Sequence, residues 1–170
     1  MIQKFKLKIN KGGYSLEDIN KRLKELNVVL PTKVKPAAMY VPVQESSNLI
    51  FISGQDCRVN GELLYKGKVG SDLTVKQGKK AARQSAINCL AVIKDHIGDL
   101  NNVSRIVKML SFVNSAPGFK EQPYVVDGAS EFLVNVLGYR GKHARSAIST
   151  NELPFNTPVE TELIVEIKHN

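Results

Sequence analysis

Residues 74–98, TVKQGKKAARQSAINCLAVIKDHIG, followed at 105–114 by RIVKMLSFVN, decide the fold of this chain. Apolar and small residues recur in the first segment at steps of three and four, which predicts an amphipathic helix. Thr74 can cap its start and Gly98 can close its end. The stripe consists of Val75, Ala82, Ala86, Cys89, Ile93 and Ile97. The second segment, rich in Ile, Val, Leu and Phe, predicts a strand against which this helix can lie closely.

The second half of the chain repeats this alternation of helix and strand. Pro123 can open another helix that Gly138 ends. Its predicted inward face consists of Val126, Ala129, Phe132, Leu133 and Val136. A strand is predicted at 143–150, and apolar residues alternate with polar ones from Val159 to Lys168, as in a half-buried strand.

Upstream of residue 74 the sequence predicts shorter elements. Ser15 is a candidate N-cap of a helix whose apolar face is Ile19, Leu23 and Leu26. Prolines at 31 and 36 predict an extended linker, and 48–53 predicts a strand. Asn60-Gly61 is typical of a tight hairpin turn.

These elements predict an α+β domain in which two helices cover one face of a mixed sheet. Something else must cover the other face, and self-association is the simplest cover. We expect residues 1–14 to form a basic N-terminal lead and residues 15–170 to form one domain, with an N-terminal helix and linker at 15–35.

Composition narrows the class of protein. The chain has 170 residues, of which 42% are hydrophobic and 24% charged, as in ordinary globular proteins. It shows neither a membrane-spanning run nor a secretory signal, so a cytoplasmic protein is expected. The two cysteines are predicted to be free thiols, and the three histidines match no metal motif.

The net charge of +8 raises nucleic acid as a partner, but its distribution weakens that idea. Residues 1–35 hold nine basic and three acidic residues, whereas the rest of the chain holds 15 basic and 13 acidic residues. The excess therefore lies in the N-terminal part, where lysines on an edge strand could equally serve to block unwanted pairing.

Arg145 stands in a predicted strand of small and apolar residues. Arginine rarely enters such a setting without a partner. One interpretation is a salt bridge to Glu160 or Glu162 on the next strand. The other is a rigid guanidinium that binds a ligand carboxylate through two hydrogen bonds.

Several stretches together resemble the Rid family of YjgF-like proteins, also labelled endoribonuclease L-PSP or translation-inhibitor-like. They are KPAAMY at 35–40, NLIFISGQ at 48–55, HARSA at 143–147, and ELP at 152–154 followed by PVETE at 158–162. The resemblance covers roughly residues 16–168, and Gly128-Ala129-Ser130 fits a longer-chain branch.

This resemblance implies a chorismate-mutase-like fold, with the helix-free face of the sheet toward the centre of a homotrimer and a ligand cleft between subunits. It also implies hydrolysis of reactive 2-imino acids or enamines to 2-keto acids and ammonia, with no cofactor and no metal. The expected partner is a small metabolite that bears a carboxylate.

The resemblance also assigns roles to residues. Arg145 would bind the substrate carboxylate, Glu160 would orient or activate water, and Tyr40 would line the pocket with its hydroxyl. Backbone polar contacts would come from Gly54 and Ala147, with Ser53 beside them. Asp127 and Phe155 are further candidate binding residues, and Phe155 stands either at the mouth of the cleft or at a contact between subunits.

Two positions depart from the family pattern. Ala147 replaces a cysteine of the best-known deaminases, which excludes a reactive thiol there. Asp127 stands where relatives often have asparagine, and it is either a surface residue or a second anion that disfavours an anionic ligand. Two other functions stay open: a non-catalytic trimer that binds a small carboxylate, and an RNA-acting protein built around Lys142, His143 and Arg145.

Overall fold

The computed structural model describes residues 18–32 and 39–168, and its elements alternate along the chain. The helices are α1 (Ile19–Glu25), α2 (Val75–Ile97) and α3 (Gln122–Leu137). The strands are β1 (Val43–Ser46), β2 (Leu49–Gln55), β3 (Arg58–Val59), β4 (Glu62–Leu63), β5 (Val103–Asn114), β6 (Ala144–Thr150) and β7 (Val159–Ile167). Short 3-10 turns occupy 100–102, 138–141 and 154–156.

Five strands form one mixed sheet in the order β1-β2-β7-β5-β6. Strands β5 and β6 run parallel, and the other pairs are antiparallel. The last strand in sequence therefore lies in the middle of the sheet, and β6 forms one edge. The separate β3–β4 hairpin turns at Asn60 and Gly61, both with positive φ, as the sequence predicted.

The long helix α2 begins and ends where its sequence signals stand. The side chains of Thr74 and Gln77 form a reciprocal capping box, and Gly98 ends the helix with φ of 76°. Its small residues let it lie close to the sheet, where the Ser85 hydroxyl donates a 2.6 Å hydrogen bond to the carbonyl of Gln55. Both cysteines, Cys57 and Cys89, are buried free thiols, as predicted.

Helix α3 packs directly against α2. A Cβ atom placed on Gly128 would lie 2.8 Å from the carbonyl carbon of Lys79, so only glycine permits this approach. The fold class is confirmed as a mixed sheet with helices on one face. A third helix, α1, adds its buried Ile19 and Leu23 to the same core and contacts α3.

Helix α1 begins at a different residue from the one predicted. The N-cap of α1 is Asp18, not Ser15, because the Asp18 side chain accepts the Asn20 N–H at 2.9 Å. The amide oxygen of Asn101 accepts the next free N–H, that of Ile19, at 3.1 Å. Ser15 and the predicted lead at 1–14 lie outside the described residues. No helix among the described residues is long and apolar enough to cross a bilayer.

Candidate active site

Arg145 lies on the edge strand β6, on the face of the sheet that the helices cover. It stands opposite Met109 of β5, which stands opposite Leu163 of β7, and both of those side chains are buried beneath the helices. Side chains directly across a ladder point to the same face of a sheet. Arg145 is therefore held between the edge of the sheet and α3.

Within the described part of the chain, helix α3 supplies every hydrogen-bond partner of the Arg145 guanidinium. Nη1 donates to Asp127 Oδ1 at 2.8 Å and to Ser130 Oγ at 3.0 Å. Nη2 donates to the carbonyl of Pro123 at 3.3 Å. The predicted salt bridge to Glu160 or Glu162 is wrong, because both glutamates lie on the opposite face of the sheet, in register with Phe112 and Leu110.

The hydrogen bonds of the Arg145 guanidinium involve Nη1 and Nη2 but not Nε among the described residues. The side chain is only 24% exposed, so its position is fixed by its surroundings. Arginine has five N–H donors, and among the described residues Nε has no acceptor. An Nε–Nη2 edge of this kind can bind a carboxylate through two hydrogen bonds.

His143 helps to position the same guanidinium through a hydrogen bond to Ser130. Its Nδ1 lies 2.6 Å from the carbonyl of Gly141, which can only accept, so Nδ1 carries the proton. In the neutral ring Nε2 then accepts from the Ser130 hydroxyl at 3.1 Å, and the Ser130 oxygen accepts from Arg145. Burial lowers the pKa of His143, and the positive charge of Arg145 lowers it further. We call Asp127, Ser130, His143 and Arg145 the arginine cluster.

Glu160 lies on the other face of the sheet, on β7. A Cβ atom placed on Gly54 of the neighbouring β2 would lie 2.8 Å from the Glu160 carboxyl carbon, so glycine makes room for this carboxylate. The strand pairing between β2 and β7 is irregular here, between Ile52 and Gln55. The side chain of Glu160 makes no hydrogen bond with another described residue.

Electrostatics around Glu160 favour a carboxyl that exchanges protons. Partial burial raises the pKa of Glu160, and the negative charges of Asp56 and Glu162 raise it further. Burial without a compensating hydrogen bond disfavours the charged form. A carboxyl whose pKa is shifted toward neutrality is a better general base than an ordinary exposed one.

Phe155 is linked to Glu160 indirectly, through contacts with Arg58 and Asp56. The guanidinium of Arg58 lies 4.6 Å above the Phe155 ring and pairs with Asp56, whose charge acts on Glu160. Phe155 is 63% exposed and has φ of 58°, a conformation that costs a non-glycine residue about 1–3 kcal/mol. We call Gly54, Asp56, Arg58, Phe155 and Glu160 the glutamate cluster.

The other predicted site residues fall beside these clusters. Ser53 donates to the carbonyl of Val41 at 2.7 Å, which ties the half-exposed Tyr40 segment to β2. Ala147 stands opposite Ser111 on the helix-covered face, two residues after Arg145. Tyr40 follows residues 33–38, which lie outside the described part of the chain.

Sequence reasoning missed Ser130, Asp56 and Arg58. Ser130 could have been found from its spacing, since it follows Asp127 by three residues and shares a helix face with it. Asp56 and Arg58 carried no comparable signal. The structure brings five of the predicted site residues into two clusters, Asp127 and Arg145 in one and Gly54, Phe155 and Glu160 in the other. It does not bring Arg145 and Glu160 together within one chain.

Comparisons with known proteins show which family the chain resembles as a whole. Residues 20–167 match the family described as "YjgF/chorismate mutase-like, putative endoribonuclease". The chain is 38% identical to Protein TCP17 of Trypanosoma cruzi over 148 residues, which are 86% of this chain and 92% of that protein.

Two crystal structures have a similar fold over most of their length. One is Atu1372 of Agrobacterium tumefaciens, a protein of unknown function, with 44% identity, a TM-score of 0.83, and coverage of 88% of this chain and 92% of that one. The other is described as "a putative endoribonuclease" of Shewanella oneidensis, with 28% identity, a TM-score of 0.86, and coverage of 89% and 100%.

Proposed function

Because this chain belongs to the YjgF/chorismate mutase-like family, we propose that it hydrolyses reactive 2-imino acids or their enamine tautomers. The products are the 2-keto acid and ammonia. The observation that carries the proposal is Glu160, a half-buried carboxyl with a raised pKa and no hydrogen-bond partner among the described residues. Such a group is suited to move protons to and from water.

The chemistry needs little beyond that proton transfer and a fixed substrate. Glu160 takes a proton from water as the water oxygen bonds to the imine carbon, and the imine nitrogen takes up a proton to give a carbinolamine. Protonation of the amino group and loss of the hydroxyl proton then break the C–N bond, which releases ammonia and the keto acid. The imine carbon is already electrophilic, so a well-placed water suffices.

Arg145 is the group we assign to the substrate carboxylate. Its position is fixed by the 2.8 Å and 3.0 Å hydrogen bonds to Asp127 and Ser130, so little side-chain freedom is lost when a ligand binds. Its Nε edge offers the planar fork that matches a carboxylate. Asp127 partly neutralises the guanidinium. It therefore lowers the affinity of Arg145 for an anion without abolishing it.

We further propose that the site forms between copies of the chain, in a homotrimer. Arg145 and Glu160 lie on opposite faces of one sheet, so a single chain cannot apply both to one substrate. The face that carries Glu160 also leaves Phe51 and Ile148 40% and 46% exposed, with Leu110 and Phe112 half-buried beside them. A second copy would cover these apolar side chains.

The test is the decay of an imino acid made in situ by an amino-acid oxidase and trapped with semicarbazide. Wild type should accelerate the decay, and both Arg145→Ala and Glu160→Gln should lose about a hundredfold or more. Arg105→Ala is the matched control, because Arg105 forms a surface ion pair with Glu166 away from both clusters. No acceleration by wild type, over several imino acids, would overturn the hydrolase proposal.

The arrangement between copies has its own test. When the Arg145→Ala and Glu160→Gln chains are co-expressed and purified as mixed trimers, one of the three sites in each trimer, about a third of all sites, should contain both wild-type residues. The activity of the mixed trimers should then equal that fraction of the wild-type activity. If activity does not return although the mixed trimers form, the site does not combine Arg145 and Glu160 from different copies.

RNA cleavage is not favoured by the arginine cluster. A ribonuclease needs a base and an acid near the phosphate, and both ring nitrogens of His143 are engaged, by Gly141 and by Ser130.

A further inference from the structure

A cleft on the outer side of the helix layer lies away from both clusters. It has a volume of about 270 Å³ and is bounded by α2, α3 and the C-terminal end of α1. Ligand pockets in proteins begin at about 300 Å³, so this cleft suits a small ligand. No residue of the arginine or glutamate clusters lines it.

Four cations of α2 form one wall of this cleft. Lys76, Lys79, Lys80 and Arg83 recur at steps of three and four, so they share one face of the helix. The first turn of α2 contains no acidic residue, and Lys76 stands in that turn, where the helix dipole disfavours a positive charge. The positive charge of Lys76 is therefore electrostatically unfavourable for the N-terminus of α2.

Most of this charge is not compensated. Glu131 of α3 pairs with Lys79 at 2.7 Å. Among the described residues, no carboxylate pairs with Lys76, Lys80 or Arg83. Arg83 is instead held against the Phe132 ring, with its guanidinium 5.2 Å from the ring centroid. This contact keeps a cation at the cleft without neutralising it.

The remaining lining is apolar or amide-bearing, and includes Leu26, Phe132 and Asn135. Uncompensated lysine and arginine beside an apolar surface match a ligand that has a phosphate at one end and a less polar body at the other. We propose that this cleft binds a small phosphate-bearing metabolite of about mononucleotide size. Lys80 and Arg83 contact the phosphate, and Leu26 and Phe132 contact the body.

The experiment measures binding of adenosine 5′-monophosphate and of inorganic phosphate to the full chain by calorimetry. The monophosphate should bind once per chain with a Kd below about 1 mM, and inorganic phosphate should bind more weakly. The variant Lys80→Gln/Arg83→Gln should lose about tenfold in affinity. The control Lys94→Gln/Arg105→Gln removes the same net charge outside the cleft and should change affinity less than twofold.

Three results would overturn the proposal. They are no binding of either probe near that concentration, an equal loss of affinity in the control variant, and binding of a short single-stranded RNA that the monophosphate cannot displace. The last would identify a polymer surface, with a steeper dependence on salt. Imine hydrolysis should be unchanged in Lys80→Gln/Arg83→Gln, so this test is independent of the proposed function.

Discussion

Asp127 of α3 accepts a 2.8 Å hydrogen bond from Nη1 of Arg145 on β6. This relationship favours the interpretation of Asp127 as a second anion near the arginine, because its side chain, although 39% exposed, pairs with Arg145. The arginine that we assign to a substrate carboxylate is thus already beside one carboxylate. Asp127 and a substrate carboxylate would compete for the same guanidinium, so a substitution of Asp127 should change the affinity of Arg145 for an anion.

Asp127→Asn should strengthen binding of a stable 2-keto acid by about fivefold, because removal of the negative charge leaves the guanidinium uncompensated. The amide oxygen of the new asparagine side chain can still accept the hydrogen bond from Arg145, so the guanidinium keeps its orientation. Calorimetry with the keto acid measures the change. Asp95→Asn, at an exposed position on α2, is the control; weaker binding by Asp127→Asn would mean that the charge orients Arg145.

Gly54→Ala should abolish most activity while the protein stays folded. The new methyl group would displace the Glu160 carboxylate, whose carboxyl carbon would lie 2.8 Å from it. We expect kcat to fall by about a hundredfold, as when a general base is removed, with a smaller change in KM. A thermal melt close to wild type must accompany the loss. An unchanged kcat would show that Glu160 need not stay where the structure has it.

Gly128→Ala should destabilise the fold without touching the chemistry. The added methyl group would meet the backbone of Lys79, which cannot rotate away as a side chain can. Forced overpacking of this kind costs about 1–3 kcal/mol. Denaturant unfolding measures the loss, and the surviving folded protein should keep its kcat. A free energy of unfolding equal to that of wild type would contradict the close packing of α2 and α3.

Acid should destabilise the protein through His143. Burial lowers its pKa below the ordinary 6.5, so the folded state holds a neutral ring while the unfolded chain takes up a proton. The stabilisation is therefore complete above pH 6.5 and is lost as pH falls toward the lowered pKa. The melting temperature of wild type should decline over this window more steeply than that of His143→Gln, which cannot titrate. Parallel declines would exclude His143 as the source.

The same protonation should loosen the arginine cluster. A charged His143 ring can no longer accept from Ser130, since both of its nitrogens then donate. Keto-acid affinity should fall with acidification in wild type and change less in Ser130→Ala. Nuclear magnetic resonance titration of the His143 ring would assign the transition; a binding curve that does not follow this titration would separate the two events.

Local signals in the sequence predicted most of the elements. Thr74 and Gly98 bound α2 as expected, and Gly138 follows the last residue of α3. The sequence does not predict β1, whose residues Val-Gln-Glu-Ser lack apolar alternation and pair with β2 at the edge of the sheet. Its pairing depends on a neighbour rather than on its own sequence.

The sequence by itself determined the type and approximate position of most helices and strands, because capping, turn chemistry and periodicity act within a few residues. Only the tertiary structure decided that β7 lies between β2 and β5, and hence that Arg145 and Glu160 occupy opposite faces. A shift of one residue in strand register exchanges the two faces of a strand. The partner of Arg145 was therefore beyond local reasoning, since it depends on which helix packs beside the edge strand.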